Sequence, residues 1–190
     1  RGLGDVYKRQ QLSGQSITLL HVATHGFYSP LTGHYTAQRS FEEQALSRSG
    51  LFLSGAAASL NMKKIPEDIE DGILTAKELS KLDLSNLNLA ILSACQTGLG
   101  EIVGDGVFGL QRGFKKAGAQ TLLMSLWKVD DTATQLLMAE FYKNLVSGQN
   151  KRAAFLNAQK YLRSYQNGIY DKPEYWACLL YTSPSPRDTR

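Results

Sequence analysis

Two short apolar runs constrain this chain most. Residues 17–24 and 87–94 are rich in Leu, Ile, Val and Ala. Small, turn-forming residues close each of them, Thr24-His25-Gly26 after the first and Ser93-Ala94-Cys95-Gln96-Thr97-Gly98 after the second. Short runs of this kind mark buried strands of a mostly parallel sheet, which needs helices on both faces. Chemistry in such sheets gathers at the carboxyl ends of strands, so His25 and Cys95, each following a run, can meet there. A thiol nucleophile requires that meeting: an imidazole takes its proton, and backbone N–H groups receive the oxyanion that follows.

The rest of the chain alternates helical and strand patterns. Residues 27–50 read as a long polar loop, residues 50–55 as a short strand or hairpin arm, and residues 61–71 as a charged, proline-containing connection. Thr75 and Glu78 have capping-box spacing and predict a short helix over 76–81. Gly104-Asp105-Gly106 fits a tight turn, since it lacks the Lys-Ser/Thr of a phosphate loop. Val107, Leu110 and Phe114 then predict a helix over 107–117 that Gly118 stops. A strand is expected over 120–127. Asp130-Asp131-Thr132 opens a helix whose buried face is Leu136, Leu137, Phe141 and Leu145, and another helix runs over 151–164 with Tyr161 and Tyr165 paired on it. Tyr175-Trp176-Ala177 reads as the start of a last strand. The pattern as a whole is an α/β sandwich.

Both ends read as translated sequencing adapter. The transposon end CTGTCTCTTATACACATCT encodes Cys-Leu-Leu-Tyr-Thr-Ser from its second base, which is residues 178–183, and its reverse complement encodes Asp-Val-Tyr-Lys-Arg-Gln, which is residues 5–10. Residues 1–10 and 178–190 are therefore set aside. Residues 11–177 remain as one partial domain, with earlier strands and the end of the last strand expected from missing sequence. Setting the ends aside removes Arg1, Lys8, Arg9, Arg187 and Arg190, so Lys plus Arg falls from 21 to 16; loss of Asp5 and Asp188 takes Asp plus Glu from 17 to 15. A net charge near +1 instead of +4 gives no support for nucleic-acid or membrane binding. Of two cysteines only Cys95 remains, which suits a reducing, cytoplasmic setting and a free thiol. No apolar stretch approaches the roughly 20 residues of a transmembrane helix.

Several blocks in order carry a family resemblance. They are His21-Val22-Ala23-Thr24-His25-Gly26, Asp71-Gly72-Ile73-Leu74-Thr75-Ala76, Leu92-Ser93-Ala94-Cys95-Gln96-Thr97-Gly98, Gly104-Asp105-Gly106-Val107, Ala117-Gly118-Ala119, Ser125-Leu126-Trp127-Lys128-Val129-Asp130-Asp131, Phe141-Tyr142 and Tyr175-Trp176-Ala177. With them the chain resembles the CHAT domain, a caspase-like cysteine-peptidase family related to separase and often joined to tetratricopeptide repeats. The resemblance implies a caspase-like three-layer α/β sandwich, with a mostly parallel sheet flanked by helices and truncated at both ends. It implies Cys95 as nucleophile, His25 as general base, and the backbone N–H groups of Gly26 and Cys95 as oxyanion hole. Ser93, two residues before the nucleophile, and Trp127 and Asp130 after the next strand are implied as substrate-pocket residues.

Simpler roles stand beside these. Cys95 alone would read as a packed core thiol. Asp130 and Asp131 also fit plain helix-start acids, and Trp127 and Trp176 fit core or pocket walls. His21 and His25 suggest zinc by spacing, but on one strand they would sit about 13 Å apart with no further ligands, so no metal is expected. His34 reads as a loop residue. The expected activity is a cysteine endopeptidase acting on a protein or peptide substrate within a larger signalling or defence protein, with no cofactor, nucleic acid or membrane involved. The alternative is a catalytically silent interaction module in a repeat-containing protein.

Overall fold

Residues 19–22 and 89–92 form the two strands that the apolar runs predict, each shorter than its run. The computed structural model describes residues 13–29, 41–53, 56–57, 71–93, 100–103, 106–127 and 130–183. Within them the strands are β1 (Leu19–Val22), β2 (His25–Tyr28), β3 (Ser49–Phe52), β4 (Ile73–Thr75), β5 (Leu89–Leu92), β6 (Gly100–Val103), β7 (Gly106–Gly109), β8 (Leu122–Ser125) and β9 (Leu179–Thr182). The helices are α1 (Phe41–Leu46), α2 (Ala76–Leu79), α3 (Leu110–Lys116), α4 (Asp131–Val146), α5 (Lys151–Ser164) and the single turn α6 (Pro173–Trp176).

The main sheet has the order β1-β5-β8-β9. Its first three strands are parallel and β9 runs antiparallel to β8. Alternation along the strands divides the core in two. Ala90, Leu92, Leu122 and Met124 face α2, α3 and a second sheet, with Leu79, Leu110 and Phe114. Leu89, Ile91, Leu123 and Leu179 face α4 and α5, where Leu137, Phe141, Phe155 and Leu162 complete the layer. A sheet apolar on both faces between two helical layers is the mostly parallel three-layer α/β sandwich of the caspase-like fold.

Local chemistry explains the helix ends. The Thr75 hydroxyl accepts the Glu78 N–H, and the Glu78 carboxylate accepts the Thr75 N–H, so the capping box is complete. Asp130 caps α4 by accepting the Ala133 N–H at 2.8 Å, and Asn150 caps α5 through the Ala153 N–H at 2.9 Å. α3 closes in a Schellman turn. Gly118 sits at φ +99°, Ala119 N–H reaches the Phe114 carbonyl, and Gly118 N–H reaches that of Lys115.

Four expectations change. Residues 27–50 are not all loop, because β2 continues to Tyr28 and α1 and β3 lie at their far end. Val107 belongs to β7, which pairs with β6 as a hairpin, so α3 begins only at Leu110. Tyr175 and Trp176 lie in a helical turn rather than a strand: Pro173 opens it, and Ala177 N–H bonds back to the Pro173 carbonyl at 2.8 Å. The last strand is instead Leu179–Thr182, inside the stretch that the sequence reading sets aside. It pairs with β8 in register Leu122↔Thr182 to Ser125↔Leu179, with Cys178 and Leu179 buried. The Leu-Leu-Tyr-Thr run satisfies the open edge of β8 whatever encoded it. Residues 61–70, His34, Gly104 and Asp105 lie outside the described residues.

Candidate active site

The exits of β1 and β5 lie side by side. Val22 is in register with Leu92, and the Ser93 N–H donates to the Val22 carbonyl at 2.9 Å, extending the parallel ladder one step beyond β5. After Val22 the chain turns through Ala23 and Thr24, whose hydroxyl bonds the Phe52 carbonyl, and His25 opens β2. His25 therefore does not continue β1. It begins an antiparallel sheet of order β2-β3-β4, opposite Phe52, with Gly26 opposite Leu51.

That second sheet holds His25 on a tightly built base. A Cβ at Gly50 would lie 2.6 Å from the Leu74 carbonyl oxygen and 2.7 Å from the Phe27 ring. Only glycine lets β2, β3 and β4 close at that point. The Phe27 and Phe52 rings pack at 4.9 Å on the same sheet. His25 itself is exposed to solvent, at the start of the strand. Cys95 lies outside the described residues, two positions beyond Ser93 along the chain.

Ser93 is placed by two bonds to β1. Besides its backbone bond to Val22, its hydroxyl lies 2.8 Å from His21 Nε2. The other ring nitrogen, His21 Nδ1, lies 2.8 Å from the Tyr142 hydroxyl on α4. His21 and Ser93 share the α4 side of the sheet, because Leu20, Val22 and Leu92 point to the other. Partial burial pushes the His21 pKa below its ordinary value and the Tyr142 pKa above its own. A neutral imidazole with one N–H and one acceptor nitrogen suits two hydroxyl neighbours, each able to donate or accept. Both ring nitrogens are thus engaged, and β1 ends before His25, so the two histidines do not share a strand. Among the described residues no cluster of three or more His, Cys, Asp or Glu side chains could hold a metal.

The remaining pocket candidates sit beyond β8. Trp127 is 39% exposed, and its indole N–H reaches the Glu174 carbonyl at 3.4 Å. Leu126 N–H bonds the Cys178 carbonyl at 2.8 Å, which ties this exit to the approach into β9. The exposed Asp130 has a carboxylate oxygen committed to the α4 cap.

Tyr142 is the participant that sequence reasoning missed. Its signal was present: strand parity puts His21 opposite the core-facing Leu20 and Val22, and Tyr142 follows the buried Phe141 on the helix covering that side. What parity could not supply was the crossing of α4 over β1.

A mostly parallel sheet between helical layers, with a histidine following one strand and a cysteine-bearing segment following its neighbour, defines a caspase-like class of domain. The CHAT domain family matches residues 8–183, and the chain belongs to that family. It is similar to tetratricopeptide repeat protein 28 of Mus musculus, 35% identical over 105 residues, or 55% of this chain and 4% of the relative. It is also similar to tetratricopeptide repeat protein 28 of Homo sapiens, 33% identical over 112 residues, 59% of this chain and 4% of the relative. The matches thus span a small fraction of the length of these relatives. No helix among the described residues is long and apolar enough to cross a membrane.

Proposed function

We propose that this chain is a cysteine endopeptidase domain that cuts a protein partner through a Cys95–His25 dyad. The observation that carries the reading is the adjacency of the β1 and β5 exits, joined by the Ser93-to-Val22 bond. A His three residues beyond one exit and a Cys three beyond the other have a short gap to close. His25 takes the Cys95 proton, and the thiolate attacks the scissile carbonyl carbon to form a C–S bond. The N–H groups of Gly26 and Cys95 receive the oxyanion. As the tetrahedral intermediate collapses the C–N bond breaks, and the imidazolium gives its proton to the leaving amine. Water, deprotonated by His25, then hydrolyses the thioester and restores the thiol.

Ser93, Trp127 and Asp130 are proposed to border the substrate pocket, with Ser93 already engaged by His21 and Asp130 by its cap. Similarity to tetratricopeptide repeat proteins supports a repeat or other sensor region in the full-length protein, proposed to control the site. A reducing, cytoplasmic setting is proposed from the lone cysteine of residues 11–177. The test uses the full-length chain with its attached regions. Wild type and Cys95→Ala are given a mixed peptide library, and a thiol-directed peptide electrophile is offered to wild type and His25→Ala. Cleavage lost in Cys95→Ala, with labelling of Cys95 lost in His25→Ala, is the expected result. No cleavage and no labelling of wild type would leave a silent interaction module.

A further inference from the structure

We propose that His21 is a positioning residue: its imidazole bridges Ser93 at the exit of β5 to Tyr142 on α4, and so fixes the point from which the chain leaves the sheet before the nucleophile. The inference rests on the reading of Cys95 as that nucleophile.

Three elements meet at one ring. His21 belongs to β1, Ser93 leaves β5, and Tyr142 lies on α4; the two ring nitrogens lie 2.8 Å from the two hydroxyls. The His21 and Tyr142 rings also pack, with centroids 5.9 Å apart. Tyr142 is anchored in turn, since its ring packs 5.8 Å from that of Phe141, which is fully buried. The bridge therefore connects the β5 exit to the α4–α5 core rather than to a free side chain. Together with the Ser93-to-Val22 backbone bond, it fixes Ser93 by main chain and side chain at once.

Ser93 is the last described residue before the segment that carries Cys95. An error of about 1 Å in a reacting group can cost about 100-fold in rate, so a device that fixes the direction of this exit acts on chemistry it never touches. The low pKa of His21 accords with this role. A neutral ring pairs with two hydroxyls without adding a charge beside Ser93.

The bridge is tested on the full-length chain by the rate at which iodoacetamide alkylates Cys95. Peptide mass spectrometry isolates the Cys95 peptide, so alkylation at any other cysteine does not enter the rate. Wild type, His21→Ala, Ser93→Ala, Tyr142→Phe and the His21→Ala/Tyr142→Phe double variant are compared well below their melting temperatures, with His25→Ala as reference. On the dyad reading, loss of the bridge loosens the β5 exit that leads to Cys95 and lowers the thiolate fraction of that cysteine. We expect His21→Ala to slow alkylation about 10-fold, Tyr142→Phe about 3-fold, and the double variant no further than His21→Ala, because the residues act as a unit.

A merely stabilising role would lower melting temperature and leave the alkylation rate unmoved, and that result overturns the inference. If His21→Ala does not fold, Tyr142→Phe decides, since it removes one oxygen and keeps the ring; a wild-type rate in it overturns the inference. Alkylation of wild-type Cys95 at the rate of a free thiol, unchanged in His25→Ala, is a different failure. It overturns the dyad reading, and the inference with it.

Discussion

The Ser93 amide donates to the Val22 carbonyl at 2.9 Å, one step past the last paired residue of β5. Through that bond the exits of two neighbouring parallel strands leave the sheet at one level. His25 and the segment bearing Cys95 follow these two exits along the chain.

Asp130 separates a structural duty from a recognition one. It caps α4, and Asn caps about as well as Asp, so Asp130→Asn should keep stability within about 0.5 kcal/mol while Asp130→Ala loses about 1 kcal/mol. If its charge also meets a basic substrate side chain, Asp130→Asn will lower kcat/KM for peptides with Arg or Lys before the cut and spare neutral ones. Thermal melts beside a peptide panel measure both. Equal effects on all peptides would reduce Asp130 to a cap.

Gly50 should tolerate no larger residue. A Cβ there meets backbone at 2.6 Å, so Gly50→Ala must push β3 from β4 or displace Phe27. We expect a loss of about 1–3 kcal/mol in urea unfolding. Because β2 carries His25, the proposed peptidase activity should fall along with stability.

The lowered pKa of His21 sets a pH dependence whose sign is fixed. Around and below pH 6.5 the unfolded chain binds a proton that the folded chain resists, so stability rises with pH across this window. The contribution is complete above the unfolded value of about 6.5 and is lost as pH falls through the lower folded one. Tyr142, whose own pKa is raised, titrates far above this range. Between pH 7 and pH 5 the melting temperature of wild type should fall further than that of His21→Gln. Parallel curves for the two proteins would contradict it.

Removing residues 178–190 should expose the edge of β8. Cys178 is 1% and Leu179 6% exposed, and β9 supplies the partners of Leu122 to Ser125. An open, apolar strand edge invites pairing between molecules. Light scattering should show the shortened chain self-associating at concentrations where the 190-residue chain does not.

Features written within a few residues were legible. The Thr75–Glu78 capping box, the acidic helix start at Asp130-Asp131 and the Gly118 stop all came through, because each acts on backbone groups in its own turn. Val107 was misread because its helical spacing with Leu110 and Phe114 competes with a hairpin partner, β6, that spacing cannot reveal. Tyr175 and Trp176 carry strand propensity, yet Pro173 pre-sets a helical turn and the β8 edge takes the next four-residue run instead. For the candidate site, the strand endings pointed to His25 and to the segment bearing Cys95. They did not show that His25 starts a second sheet, since only the Thr24 bond to Phe52 and the pairing with β3 turn the chain there.

By itself the sequence determined the alternation of strands and helices, the helix ends and the family, because periodicity, caps and motif order are properties of neighbouring residues. Tertiary structure decided which exits lie together and what His21 does. Its two hydrogen-bond partners stand 72 and 121 residues away along the chain, and only the packing of α4 across β1 and β5 brings both hydroxyls to one imidazole.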